Sequence, residues 1–372
     1  VDMLKLLLDK GALIDAQDEW ITWDGKLDDK GGNTALMMSV LNTESAKFLI
    51  ERGAKINIQS RYGQTALMNS VSNVEITKLL IEKGAKIDLQ NKGGQSALIL
   101  AAPKHPETVK LLIEKGANIA LRQTEYRASP NALDCAAIAG NIESAKLIMA
   151  RAVSLGIKEE IISASLHWAV TANQLAMAKY LLDEGALIEG TDADGHFTPL
   201  METSMLEMVK LLVSRGANVN ALNKFNYTPL NKAVSNFNDP DNKEKDCVNI
   251  LNLLLDKGSK LDVQDGNGTT ALMWAVQKYT VAKILIERGA NVNIQSKDGE
   301  TALMRAVKGG FLRKILFIPV IGAYQESAKL LVSKGADVNL QDASGKTALM
   351  HAAGALNLTG NDYSTYTEMV AF

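Results

Sequence analysis

Four histidines, two cysteines and one short acidic run are the residues through which this chain could do chemistry. His105, His167, His196 and His351 could act as proton shuttles or metal ligands. Each stands without a cysteine or carboxylate at ligand spacing. Asp239-Pro240-Asp241-Asn242 offers too few oxygens at alternating positions for a calcium loop. Gly266-Asn267-Gly268 lies ahead of a capped helix, where a phosphate cradle could form, but the flanking pattern accounts for both glycines as turn residues. Cys135 and Cys247 are far apart, which fits a reducing compartment or indifference to redox better than a disulfide framework. No catalytic constellation emerges, so the chain reads as a non-enzyme with no cofactor and no metal.

Charge narrows the partners. The 42 acids and 40 bases leave a formal charge of −2, with no basic excess to neutralise a phosphate backbone. Nucleic acid is therefore not expected. No apolar run reaches transmembrane length and no signal peptide is visible, so a cytoplasmic location is expected. An initiator Met is absent from the start, which leaves a removed leader or an exported effector open.

The elements that must position any site come from one recurring stretch. Gly289 to Val307 reads G-A-N-V-N-I-Q-S-K-D-G-E-T-A-L-M-R-A-V, and a Gly-Ala or Gly-Ser pair recurs at Gly11, Gly53, Gly84, Gly116, Gly185, Gly216, Gly258, Gly289 and Gly335. A worn copy at Gly156 divides the longest unbroken gap. Several spacings are 31 or 32 residues, a period that means a stacked array rather than separate globular domains. Thr301 sits where a helix N-cap belongs, with Thr34, Thr65, Ser96, Asn131, Thr198, Thr228, Thr270 and Thr347 in the same place. A short apolar first helix follows, such as Ala302 to Val307. A second helix, as in Val281 to Ile286, ends in Arg288-Gly289, a cation and then a glycine able to adopt φ > 0. V-N-I-Q-S-K-D-G then suits a projecting β-turn.

The unit resembles an ankyrin repeat, whose pattern runs D-x-x-G-x-T-P-L-H, helix, helix, L-L-x-x-G-A-x-V-N. Thr198-Pro199-Leu200 and Thr228-Pro229-Leu230 keep the proline, while most copies read T-A-L-M, a flavour similar to bacterial members. The resemblance covers essentially the whole chain. It implies an all-α solenoid of helix-turn-helix units with β-turn or hairpin fingers: a single domain over 1–372, about nine complete repeats, and partial repeats at 1–31 and 345–372. The family's histidine is mostly Met here and survives as His167, for which the resemblance implies a structural hydrogen bond to neighbouring backbone.

The resemblance also implies protein binding through a concave face lined by turn tips and first helices. The residue just after T-A-L-M faces that surface in the family. Across the copies it is Met38, Asn69, Leu100, Cys135, Trp168, Glu202, Lys232, Trp274, Arg305 and His351. Equivalent positions under one packing demand would hold similar residues, so this diversity marks a position that packing does not dictate. Trp and Arg recur at binding hot spots, which puts Trp168, Trp274 and Arg305 first. The competing reading is edge packing between neighbouring first helices.

Three interruptions break the period and are expected as insert loops at 17–32, 235–246 and 308–325. Trp20 and Trp23 in the first either pack on the next finger or anchor a partner. The third contains the apolar run from Phe311 through Phe317 to Ile321, too short to span a bilayer, which takes roughly 20 residues. Its readings are an extra helix packed on the array, a partner-docking element, and a peripheral membrane anchor helped by Arg313 and Lys314. Both ends cut through a repeat: Val1 to Asp9 is a second helix without a first, and Tyr366 to Phe372 opens another second helix. The natural protein is therefore expected to be longer, and an alternative reading makes this chain the targeting segment of a larger effector or enzyme. Otherwise the ends pack on something, or the chain is monomeric.

Overall fold

The period read from the sequence becomes a series of short helices in pairs. The computed structural model describes residues 1–19, 31–124, 129–162, 164–190, 197–236, 244–315 and 321–356, with backbone alone at 244, 310–315, 321 and 354–356. The chain divides into two compact units, Val1–Asp194 and Gly195–Phe372.

In the first unit α1 (Asp2–Asp9) precedes the pairs α2 (Ala35–Ser39) with α3 (Thr43–Glu51) and α4 (Ala66–Asn69) with α5 (Val74–Glu82). Next come α6 (Ala97–Ala101) with α7 (Pro106–Glu114), and α8 (Ala132–Ala139) with α9 (Ile142–Leu155). A short α10 (Lys158–Ile162) precedes α11 (Ser165–Thr171) with α12 (Leu175–Asp183). The second unit holds α13 (Pro199–Glu202) with α14 (Leu206–Ser214), α15 (Pro229–Asn236) with α16 (Glu244–Asp256), and α17 (Ala271–Ala275) with α18 (Tyr279–Glu287). It closes with α19 (Ala302–Ile315), α20 (Ile321–Ser333) and α21 (Ala348–Leu356).

Within each unit a first helix packs on its own second helix and on the next first helix, and second helices pack on one another. The core is accordingly a string of local clusters, such as Leu67, Ile76 and Leu80 or Leu272, Val281 and Leu285, all buried. Burial of such Leu and Ile side chains, each about 1.5–3 kcal/mol, is what stabilises helices too short to stand alone.

Local chemistry sets the helix ends. Thr34, Thr65, Ser96, Asn131 and Thr270 each accept the N–H three residues on. Thr228, Thr301 and Thr347 do the same to Asn231, Met304 and Met350. Thr198 does not. There the Met201 N–H donates to the backbone carbonyl of Thr198 at 2.9 Å, so the turn tightens and leaves the hydroxyl no orphan donor to satisfy. At the other end Gly289 takes φ 95° after Arg288, and its N–H returns to the Ile286 carbonyl at 3.0 Å.

The fingers are tight turns with almost no strand: among the described residues the isolated bridges are Gln17 with Thr34 and Arg122 with Asn131. They are held instead by glutamines. Gln59 Nε2 donates to the Gly63 carbonyl at 2.9 Å in its own finger and to the Gln90 carbonyl at 3.1 Å in the next. Gln295 repeats this with Gly299 at 2.8 Å and Gln341 at 2.9 Å. Main-chain bonds run alongside, such as Lys92 N–H to the Tyr62 carbonyl at 2.8 Å and Ala343 N–H to the Asp298 carbonyl at 2.8 Å.

Where the insert at 308–325 is described it is helical: 308–315 continue α19 and 321–325 open α20. No proline interrupts the first stretch, and Gly309 lets the Tyr324 ring lie where a Cβ would stand, only 2.2 Å away. Gly156 does not introduce a finger. It caps α9 with φ 69°, and α10 replaces the turn because Lys158-Glu159-Glu160 carries acidic first-turn residues and no turn glycine. Of the other inserts, 17–19 and 31–32 flank the undescribed part of the first, and 235–236 and 244–246 lie in α15 and α16.

Candidate partner-binding surface

The residue following each cap motif sits in a first helix, one position beyond an apolar face that is buried in most copies and exposed at Leu349 and Met350 of α21. In the first unit Met38 is exposed, and Asn69 and Trp168 are half-buried. Asn69 Nδ2 reaches the Met37 carbonyl at 3.4 Å, tying neighbouring first helices. Trp168 stands edge-on to His167, ring centroids 6.2 Å apart at 77°. Cys135 departs from the series: it is buried at 8% exposure with Gln123 Nε2 3.1 Å from its sulfur. Burial pushes its thiol up to about 12, with Asp134 adding to the shift, so it is no nucleophile at neutral pH.

In the second unit Glu202, Lys232, Trp274, Arg305 and His351 are all half-buried. Lys232 places its ammonium over the Phe197 ring, 5.3 Å from the centroid. Trp274 and Arg305 come together. The guanidinium lies 5.9 Å from the indole centroid, Arg305 Nη2 donates to Thr269 Oγ1 at 3.0 Å, and Nε is 3.2 Å from Glu300 Oε2. Lys308 bonds the other oxygen of Glu300. Burial pushes the Glu300 carboxyl up, but the Lys308 and Arg305 charges outweigh it and hold it below the usual carboxylate range.

Asp265 anchors the same patch. Its Oδ1 accepts the N–H groups of Asn267 and Thr269 at 2.8 and 2.9 Å, and Oδ2 accepts from Trp274 Nε1 at 3.4 Å. Burial and then Asp265 push the Tyr227 phenol above its ordinary range, with Arg305 opposing. His351 meets Asp342 in the same way, Nε2 to Oδ2 at 2.7 Å. Asp342 is held below the usual carboxylate range by the Lys346 N–H first, against burial, and by His351 and the Ser344 N–H.

The structure thus joins Trp274 and Arg305 to each other and three candidates, Trp274, Arg305 and His351, to the carboxylates Asp265, Glu300 and Asp342. Trp20, Trp23 and Phe317 lie outside the described residues; Phe311 is placed on α19 by its backbone. Asp265, Asp342 and Glu300, which order the patch, were not singled out from the sequence. Residue type does not mark the two aspartates at their finger position, because aspartate stands there at Asp18 and Asp192 as well as at Asp265 and Asp342, and the other copies have Ser60, Asn91, Gln123, Asn223 or Ser296. Among the described residues no group of three or more His, Cys, Asp or Glu could hold a metal.

Models of ankyrin repeats match residues 43–123, 166–251, 240–318 and 298–343. The chain is an ankyrin repeat protein. The ankyrin repeat domain of human ASB11 matches with a TM-score of 0.50 at 21% identity, covering 61% of this chain and 99% of that one, which shows the same fold. An ankyrin repeat domain from Acinetobacter baumannii AYE matches with a TM-score of 0.45 and 26% identity over 56% of this chain and 95% of its own. Among curated proteins, a putative palmitoyltransferase ZDHHC13 of Danio rerio is 34% identical over 116 residues, 30% of this ankyrin chain. The 26S proteasome non-ATPase regulatory subunit 10 of Dictyostelium discoideum is 35% identical over 79 residues, 20% of it. The matched segments are 17% and 34% of those two proteins, so the ankyrin chain spans a minor part of each. No helix among the described residues is long and apolar enough to cross a membrane.

Proposed function

We propose that this ankyrin array, read as one domain over 1–372, is a non-enzymatic cytoplasmic scaffold that grips a protein partner through its first-helix positions, fingers and inserts. One observation carries the reading. The Ala-Leu-Met face recurs and is buried in the copies before α21, while the next residue varies from repeat to repeat and stays partly open at Met38, Asn69, Trp168, Glu202, Lys232, Trp274, Arg305 and His351. A half-buried indole with a guanidinium 5.9 Å from its ring centroid presents a pre-ordered aromatic surface, the type that dominates interface energetics. Trp20, Trp23, Phe311 and Phe317 extend the candidate set into the inserts. The balanced charge disfavours nucleic acid.

Photo-crosslinking residues introduced at Asn69, Glu202 and Lys232 should give the same covalent adduct in source lysate, and one placed at the exposed second-helix residue Lys283 should not. Adducts from Lys283 alone would move the binding face to the second helices.

A second reading makes the array the targeting segment of a larger enzyme. It is supported by the palmitoyltransferase of Danio rerio, of which the matched segment is 17%. The complete reading frame separates the two: a catalytic domain joined to the array supports the second.

A further inference from the structure

The first helices of the first unit, α2, α4, α6, α8 and α11, pack on one another in chain order. Two positions recur along this row, four and seven residues past each N-cap position. In α2 and just after it they are Met38 and Leu41, 62% and 71% exposed. Leu100 of α6 and Trp168 of α11 are half-buried, and Ile138 of α8 is 38% exposed. The other five residues at these two positions, among them Asn69, Ser72 and Thr171, are uncharged as well. Of the charges nearest in sequence, Asp134 is buried and Lys104 lies one residue past the second position. Neutrality is not a demand of the repeat, because the second unit holds Glu202, Lys232, Arg305, Lys308 and His351 at the same two positions.

Resting on the scaffold function above, we propose that this uncharged row seats one amphipathic helix of the partner protein, laid across α2 to α11 with its apolar stripe against them. Charge selects an apolar occupant, since a charged segment would lose water at positions that offer no counter-ion. Backbone geometry selects a helix over a strand. In the fingers Arg61 N–H donates to the Gly31 carbonyl at 3.0 Å, Lys92 N–H to the Tyr62 carbonyl at 2.8 Å, and Thr124 N–H to the Gly93 carbonyl at 2.9 Å. An added strand would have to displace a neighbouring finger from these bonds. A proline-rich segment docks between aromatic rings, and Trp168 is the one aromatic at the two positions in this unit.

The pitch of the row fits such a helix. Packed helices lie about 8–10 Å apart, and seven residues of α-helix cover about 10 Å, so one heptad of the partner advances one repeat. The two recurring positions of each repeat then meet the two apolar positions of each heptad.

Photo-crosslinking residues placed at Leu41 and at Ile138 of the full chain test this in source lysate, with the crosslinked partner peptides sequenced by mass spectrometry. The two positions are three repeats apart, about 30 Å at that packing distance. Both should label one partner segment at points about 20 residues apart, with uncharged apolar residues at heptad spacing between them. Points about 9 residues apart would show an extended segment and overturn the proposal, as would charged residues at the heptad positions or labels on different proteins. The yield at Leu41 should hold in about 1 M salt, where charges are screened within about 3 Å. It should fall at least about tenfold with Ile138→Glu, which strands a charge in the contact, and hold with Ile138→Met. Loss in salt or indifference to Ile138→Glu overturns the proposal. No adduct from Leu41 or Ile138, with adducts kept at Glu202 and Lys232, overturns this inference alone. Loss at all four positions overturns the proposed function with it.

Discussion

The indole Nε1 of Trp274 donates to Oδ2 of Asp265, nine residues earlier, at 3.4 Å. The same interval joins His351 to Asp342 at 2.7 Å. A finger carboxylate thereby fixes the side chain that follows the cap motif. Asp265 also accepts two backbone N–H groups, so its side chain does two jobs that substitutions can separate. Asp265→Asn should keep the turn, because Asn91 and Asn223 accept the corresponding N–H groups in their own fingers. Asp265→Ala should remove all of these bonds, lowering stability by about 1–3 kcal/mol. Urea unfolding of the second unit checks this; equal midpoints for the two variants would show that the turn does not depend on the side chain.

Gly299 and Gly289 both have positive φ, at 72° and 95°, but only one is crowded. A Cβ on Gly299 would stand 2.8 Å from the Asp342 Cα and the Ala343 nitrogen, whereas at Gly289 nothing lies within 4 Å. Gly289→Ala should therefore carry only the conformational penalty, roughly 1 kcal/mol. Gly299→Ala should exceed it, since the backbone of the next finger has to move. Urea midpoints in the reverse order would mean the fingers are not in contact.

Asp134 closes a capping box with the Asn131 N–H at 2.9 Å and accepts the Ser165 hydroxyl at 2.6 Å. Burial pushes its carboxyl up to about 6, against the hydrogen bonds from Ser165 and Asn131 and the Arg122 charge. The folded state thus holds a proton that the unfolded chain releases near the ordinary value of 3.8. Its contribution is fully present below 3.8 and is lost as pH rises to about 6, so this group alone makes stability fall across that window. Asp134→Asn, neutral throughout, should remove that slope while accepting the Asn131 N–H and donating to Ser165. Parallel stability–pH profiles for wild type and variant would contradict the shift.

The helix pairs, most caps and the glycine ends were legible in the sequence because each depends on a few adjacent residues. The finger ladder was legible too, in the recurrence of Gln17, Gln59, Gln90, Gln264, Gln295 and Gln341 at one position, but a lone glutamine carries no meaning until the next finger supplies its carbonyl. Thr198 shows the limit of residue type: a capping residue does nothing when the backbone has already satisfied the donor. The diversity that marked the surface was read as freedom from packing. Cys135 contradicts that at one position, and Trp274 with Arg305 shows that side chains there can be ordered by each other as well as by a partner.

The most direct test of the binding surface is capture from source lysate by the wild type and by a Trp168→Ala/Trp274→Ala variant whose urea midpoints show both units folded. Loss of a hot-spot indole costs about 2 kcal/mol or more, so recovery of the wild-type partner should fall by at least about tenfold. Equal recovery of the same protein by both chains would contradict the assignment of partner recognition to the first-helix positions.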